Sequence, residues 1–197
     1  FNTFIENVSG SQSNDTIIGN ELDNEISGND GNDTLFGGAG NDVFNRATDS
    51  RDGVDTMHGG TGNDTYVLSS ASDIVVELAG EGADTVYTPT SYSAPSNVEN
   101  VFGFGNRGSL TIKGNNLDNV LRGSELNDII EGGGGSDDFL LYVGMGNDKV
   151  TDFNSDEGDE VLLAYGLSGY QFANTSTGAM YSLEDGSSLE LVYEFIA

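Results

Sequence analysis

Cysteine is absent from the 197 residues, which removes both a disulfide framework and any thiolate metal site. Basic residues are scarce: 6 Lys and Arg stand against 33 Asp and Glu, for a net charge of -27 and a pI near 4.1. Repulsion on that scale excludes nucleic-acid phosphate and anionic membrane surfaces as partners, and it favours cations. No apolar run approaches the ~20 residues of a membrane-spanning helix, so this chain is expected not to insert in a membrane. The opening FNTFIENVSG lacks a basic, apolar signal-peptide pattern and starts in mid-repeat, as the end of a longer protein would. Neither H-E-x-x-H nor G-x-S-x-G occurs, and the one histidine, His58, has no catalytic constellation around it. With 29 glycines, this composition suits a disordered acidic tail unless the acids are placed periodically.

They are periodic. GSQSNDTII begins at residue 10, GNELDNEIS at 19, GNDGNDTLF at 28 and GGAGNDVFN at 37, a period of nine. The sixth place reads Asp15, Asn24, Asp33, Asp42, and the eighth reads Ile17, Ile26, Leu35, Phe44. After extra residues at 46–49 the period resumes with SRDGVDTMH at 50, GGTGNDTYV at 59 and LSSASDIVV at 68; two more extras precede AGEGADTVY at 79. Residues 88–104, which hold Pro89 and Pro95, lack the pattern and read as a divider. A second array follows: GNRGSLTIK at 105, GNNLDNVLR at 114, GSELNDIIE at 123, GGGGSDDFL at 132, VGMGNDKVT at 143 and NSDEGDEVL at 154. Residues 19–44 echo 114–139 without a gap, so the array itself is duplicated.

The physics of one repeat explains its residues. Six residues make a tight turn in which Gly supplies conformations closed to other residues. Three then form a short strand whose middle, eighth, side chain points inward. One apolar residue per nine cannot hold a repeat alone, but stacked repeats align these residues into one narrow core. Two turns and two strands make one coil, so residues 18 apart should lie over one another, about 4.8 Å away. Asp15 would then sit over Asp33, and Asn24 over Asp42. Such stacked charges repel unless a cation lies between them, and hard carboxylate and carbonyl oxygens suit Ca²⁺.

These repeats resemble the RTX, or haemolysin-type, calcium-binding nonapeptide GGxGxDxUx over residues 10–162. GGAGNDVFN, GGTGNDTYV and GGGGSDDFL match every defined place. The resemblance implies an all-β, right-handed parallel β-roll in two stacked arrays, holding several Ca²⁺ ions, in a protein exported by bacterial type I secretion. In that family each ion takes carbonyls two and four and Asp six of one repeat, with carbonyls one and three and Asp six from the repeat two further on. Carried over, one site joins Ser11, Ser13 and Asp15 to Gly28, Asp30 and Asp33, and another joins Asn20, Leu22 and Asn24 to Gly37, Ala39 and Asp42. Later sites pair Gly60, Gly62 and Asp64 with Ala79, Glu81 and Asp84, and Ser124, Leu126 and Asp128 with Val143, Met145 and Asp148. Asn119 pairs with Asp137, whose repeat brings Gly132 and Gly134, and Asp137 pairs with Asp159. Asp55 and Asp73 hold the sixth place in repeats without the leading Gly pair, and Leu110 replaces the acid, so its repeat is read as a cap. The insertion at 46–49 is expected to interrupt the ion series after Asp42.

The expected organisation is a leading strand over 1–9, a first array over 10–87, the divider, a second array over 105–162, and a cap over 163–197. In the cap, AMYSLEDGSSLELVY reads as a β-hairpin around Asp185-Gly186. The final Glu194-Phe195-Ile196-Ala197 resembles the acid-plus-apolar end of type I substrates. The leading functional expectation is a secreted, extracellular calcium-binding module, not an enzyme itself, that folds on Ca²⁺ outside the cell. Its partners are then calcium, the type I secretion machinery through the C-terminus, and an upstream passenger domain of the same chain. The alternatives are a glycan-binding repeat module of a polysaccharide-modifying enzyme, with Tyr87, Tyr92, Phe102 and Phe104 as stacking aromatics, or the C-terminal part of a secreted protease, lipase or toxin.

Overall fold

The computed structural model describes residues 6–44, 53–105, 107–164, 170–176 and 178–193, and among them there are strands and turns but no helix. They form two units, Phe1–Thr88 with Pro95–Val98, and Pro89–Ala94 with Glu99–Ala197.

In the first unit nine short strands follow the nonapeptide period: β1 (Asn7–Ser9), β2 (Thr16–Ile18), β3 (Glu25–Ser27), β4 (Thr34–Ala39), β5 (Val43–Phe44), β6 (Thr56–Thr61), β7 (Thr65–Val67), β8 (Ile74–Val76) and β9 (Thr85–Thr88). Odd strands run in the order β1-β3-β5-β7-β9 in one sheet and even strands β2-β4-β6-β8 in another, all parallel. Alternation between sheets follows from the repeat, since each six-residue turn reverses the chain and delivers the next triplet to the opposite face. Ile17 faces Leu35, an offset of 35 − 17 = 18, as the spacing requires. Leu35 faces Met57, an offset of 57 − 35 = 22, so the four extra residues are accommodated without loss of register. The eighth-place side chains Ile26, Leu35, Phe44, Met57, Tyr66 and Val86 are fully buried. Within that file the rings of Phe44 and Tyr66 stack with centroids 5.0 Å apart. The ninth place points outward, and there Phe36 stacks on His58 at 4.6 Å.

The second unit repeats the plan with β10 (Tyr92–Ser93), β11 (Asn100–Gly103), β12 (Thr111–Lys113), β13 (Val120–Arg122), β14 (Ile129–Glu131), β15 (Asp138–Leu141), β16 (Asn147–Phe153) and β17 (Glu160–Leu163). Its inward file is Ile112, Leu121, Ile130, Phe139 and Val150. Three further strands, β18 (Gln171–Asn174), β19 (Gly178–Ser182) and β20 (Ser188–Tyr193), continue the β10-β12-β14-β16 sheet in the order β20-β19-β18. β20 lies parallel to β16, and β19 and β18 then turn antiparallel, closing the hairpin expected around Asp185-Gly186. Gly186 takes the positive φ, 91°, that such a turn needs. Of the sequence expectations, residues 1–5, the insertion at 46–49 and the terminal 194–197 lie outside the described residues.

Candidate metal centre

Each sixth-place residue lies at the end of a turn, immediately before its strand or, for Asp148, at the strand's second residue. There the acids are buried rather than solvated: Asp33, Asp42, Asp55, Asp64, Asp84, Asp128, Asp137 and Asp148 are each 2 % exposed or less. They form ladders. The Asp15 N–H donates to Asp33 Oδ1 (2.8 Å), the Asp33 N–H to Asp55 Oδ1 (2.9 Å), and the Asp55 N–H to Asp73 Oδ1 (3.4 Å). On the other turn the series runs from the Asn24 N–H to Asp42 (2.7 Å), Asp42 to Asp64 (2.7 Å) and Asp64 to Asp84 (2.8 Å). The ladder therefore passes the 46–49 insertion unbroken. In the second unit it runs Leu110 to Asp128 (2.6 Å) to Asp148 (2.9 Å), and Asn119 to Asp137 to Asp159 (2.9 Å each). Every residue placed at a sixth position by the sequence is thus brought to a ladder.

The second carboxylate oxygen divides these acids into two kinds. Where the second place carries Ser or Asn in ordinary geometry, its N–H donates back: Ser11 to Asp15 Oδ2 (2.6 Å), Ser69 to Asp73 Oδ2 (3.1 Å) and Ser124 to Asp128 Oδ2. The amides of Asn20 and Asn115 do the same for the side-chain oxygens of Asn24 and Asn119. At four of the six left-handed second places among the described residues the acid's Oδ2 is left without any hydrogen bond. Asn29 (φ 65°), Gly38 (114°), Gly60 (97°) and Gly144 (85°) precede Asp33, Asp42, Asp64 and Asp148, and in all four acids Oδ2 is buried with no hydrogen-bond partner. Burial raises all four, Asp64 to about 7 and Asp148 to about 8, and it raises Asp137 to about 7. An orphaned, desolvated carboxylate oxygen is costly, and a hard divalent cation is the partner that such an oxygen fits.

The first-place glycine has its own reason. A Cβ on Gly28, Gly37, Gly59 or Gly132 would collide with the carboxylate of Asp33, Asp42, Asp64 or Asp137, respectively. Several proposed carbonyl donors meanwhile carry bonds between coils: Asn20 O accepts from the Ala39 N–H (3.0 Å) and Glu81 O from the Gly62 N–H (2.7 Å). A carbonyl oxygen keeps a second lone pair after one such bond. Of the other proposed donors, Val143 is exposed whereas the Met145 side chain is fully buried. Leu110 heads one ladder, and Leu189 of β20 faces Asp148 at its other end, so leucines bound the Asp128–Asp148 pair on both sides.

One buried acid falls outside the nine-residue pattern. Glu77, one of the two extra residues after β8, is 5 % exposed, and it lies with Asp64 and Asp84 so that one oxygen from each falls within 4.8 Å of the others. Burial, more than any neighbouring charge, raises it to about 8. Its Oε1 accepts from the hydroxyl of Tyr66, and burial pushes that phenol up strongly. Sequence reasoning missed Glu77 because it belongs to no repeat; the available signal was Tyr66, a hydroxyl in an inward eighth place that has to find a partner.

Residues 9–44, 49–75 and 113–150 match the RTX calcium-binding nonapeptide repeat (4 copies). The chain belongs to that family. Its RTX repeats bind Ca²⁺, and the orphaned oxygens above are where its side chains fit the ion. The endo-1,3-1,4-beta-glycanase ExsH of Rhizobium meliloti (strain 1021) is 37 % identical over 133 residues, covering 64 % of this chain and 27 % of that relative. The RTX chain thus spans about a quarter of the length of this curated relative. A solved structure, the extracellular lipase LipA from Serratia marcescens, aligns over 99 % of this chain and 39 % of its own, with a TM-score of 0.43 and 19 % identity.

Proposed function

We infer that this RTX roll is a calcium-conditional folding module that supports export and stability of an upstream passenger domain. The observation that carries this reading is the row of buried Oδ2 atoms on Asp33, Asp42, Asp64 and Asp148, which have no partner within the protein. Ca²⁺, when bound, would supply the positive charge these oxygens lack; the chain supplies carboxylates already pinned through Oδ1, so little side-chain freedom would be lost on binding. The ligand sets are those expected from the repeats: Asp33 with Asp15, Asp42 with Asn24, Asp64 with Asp84, and Asp148 with Asp128, each with its turn carbonyls. Where calcium is scarce, the -27 chain repels itself and stays extended, a state suited to threading through an exporter. Outside, ions bind only the folded roll and draw folding forward by mass action. The relative's name supports a passenger of the glycanase class.

The test is far-UV circular dichroism at pH 8 on chelator-treated protein as Ca²⁺ is added. The β signal is expected to develop between ~10⁻⁴ and 10⁻³ M calcium, the range of extracellular modules. A β signal already complete in chelator overturns the reading.

A further inference from the structure

We propose that Glu77 is an additional calcium ligand, converting the Asp64–Asp84 step into a three-carboxylate site unlike the other steps of the roll. The proposal rests on the calcium-binding reading above and adds to it a residue that lies outside the nonapeptide. Asp64, Glu77 and Asp84 each present an oxygen within 4.8 Å of the other two, and all three side chains are buried. Acids in that number are no site by themselves. What marks this one is that Glu77 Oε2 and Asp64 Oδ2 are both buried without a hydrogen-bond partner. Three buried carboxylates with oxygens within 4.8 Å of one another need positive charge, yet no Lys or Arg occurs in the sequence between Arg51 and Arg107.

Glu77 is also held in place. Its Oε1 accepts from the Tyr66 hydroxyl, whose ring is fixed by stacking on Phe44. Its backbone carbonyl accepts from Asn97 Nδ2 (3.0 Å), and the next residue's amide, Leu78 N–H, donates to Glu81 Oε2 (2.8 Å). A glutamate anchored by a phenol, with an oxygen within 4.8 Å of one from each of two aspartates, is held as a hydrogen-bonded ligand is held towards a metal. Gly59 completes the geometry: a Cβ there would strike the Asp64 carboxylate, the Tyr66 hydroxyl and Glu77 Oε1 together, so only glycine leaves the three room to converge.

A third carboxylate raises ligand charge and therefore affinity. Calorimetric titration of the 197-residue chain with Ca²⁺ should resolve one step tighter than the rest. Glu77→Gln keeps the side-chain shape and an oxygen for the Tyr66 hydroxyl, and should weaken that step at least tenfold while the other steps stay in place. Superimposable isotherms for the native chain and Glu77→Gln overturn the proposal, and so does an equal weakening of every step. Failure of the native chain to take up calcium at all would instead overturn the calcium reading itself. Should Glu77→Gln not reach the native circular dichroism spectrum in calcium, Tb³⁺ added to the native chain decides. Emission excited through tyrosine is expected at the first equivalent and should be lost in Tyr66→Phe; emission that survives in Tyr66→Phe overturns the assignment.

Discussion

A glycine in this chain serves one of two purposes, and the first repeat place separates them. Gly37 has no left-handed φ to demand it; what it lacks is a Cβ, which would meet Asp42 Oδ2 and the Gly59 carbonyl. Gly37→Ala should therefore cost about 1–3 kcal/mol in calcium, by displacing a carboxylate that is otherwise pinned. Gly134 offers the contrast, because a Cβ there comes no closer than 3.6 Å to Asn116 Oδ1 and its φ is ordinary. Gly134→Ala should stay within about 0.5 kcal/mol. Urea unfolding of both variants in saturating calcium separates them, and equal losses would refute this account of the first place. At this scale the sequence disclosed the inward eighth places and the buried sixth places, since both follow from period alone. It did not disclose which acids keep an orphaned oxygen. A left-handed second place accompanies each orphan but does not suffice, since Gly80 and Gly133 are left-handed too; Asn29 (φ 65°) and Asn20 look alike as letters while only the first turns its amide away.

Among elements, the end of the second unit is where regularity stops and something else must close the stack. β20 lies along β16 as another coil would, with Asp148 facing Leu189 and Val150 facing Leu191. The hairpin turn then reaches back: Asp185 Oδ2 accepts from the Gly144 N–H (2.7 Å) and Oδ1 from the Ser187 N–H (3.0 Å). These bonds, those of Ser187 first, hold the Asp185 carboxyl below the usual range. Asp185→Ala frees the Gly144 amide next to the Asp148 turn. A drop of a few degrees in the calcium-loaded melting temperature is expected, and an unchanged melt would show that the turn closes without it. The hairpin was legible from Asp-Gly between alternating strands. The parallel docking of β20 on β16 was not, because a contact across an offset of 188 − 147 = 41 residues leaves no local period to read.

For the whole molecule, charge and burial act in the same direction. Asp64 and Asp137 at about 7, and Glu77 and Asp148 at about 8, bind protons more tightly in the folded chain than in the unfolded one, where such groups lie near 3.8 to 4.5. The sign follows from linkage: their contribution is fully present below about pH 4 and is lost as pH rises through 7 to 8. In chelator, then, the folded fraction by circular dichroism should be greater at pH 5 than at pH 8, with protons standing in for ions. Saturating calcium should abolish the difference. General self-repulsion of a -27 chain has the same sign but is screened by salt, whereas the burial effect is not, so the trend should persist in 1 M NaCl. A flat profile in chelator would refute it.

The amide-to-carboxylate ladder has a direction. Among the described residues every rung runs forward, its N–H donating to the acid two repeats on, from Asp15 to Asp33 and from Leu110 to Asp128. The two ends of a stack are consequently unlike. At the leading end Asp15 meets its remaining need from the Ser11 amide and hydroxyl beside it. At two trailing ends the N–H turns back into its own turn: Asp73 donates to Ser70 O and Asp159 to Asn154 O, each at 3.3 Å. Each coil's backbone thus pins the carboxylate of the coil that follows it, so a distorted turn is felt by the acid of the next coil.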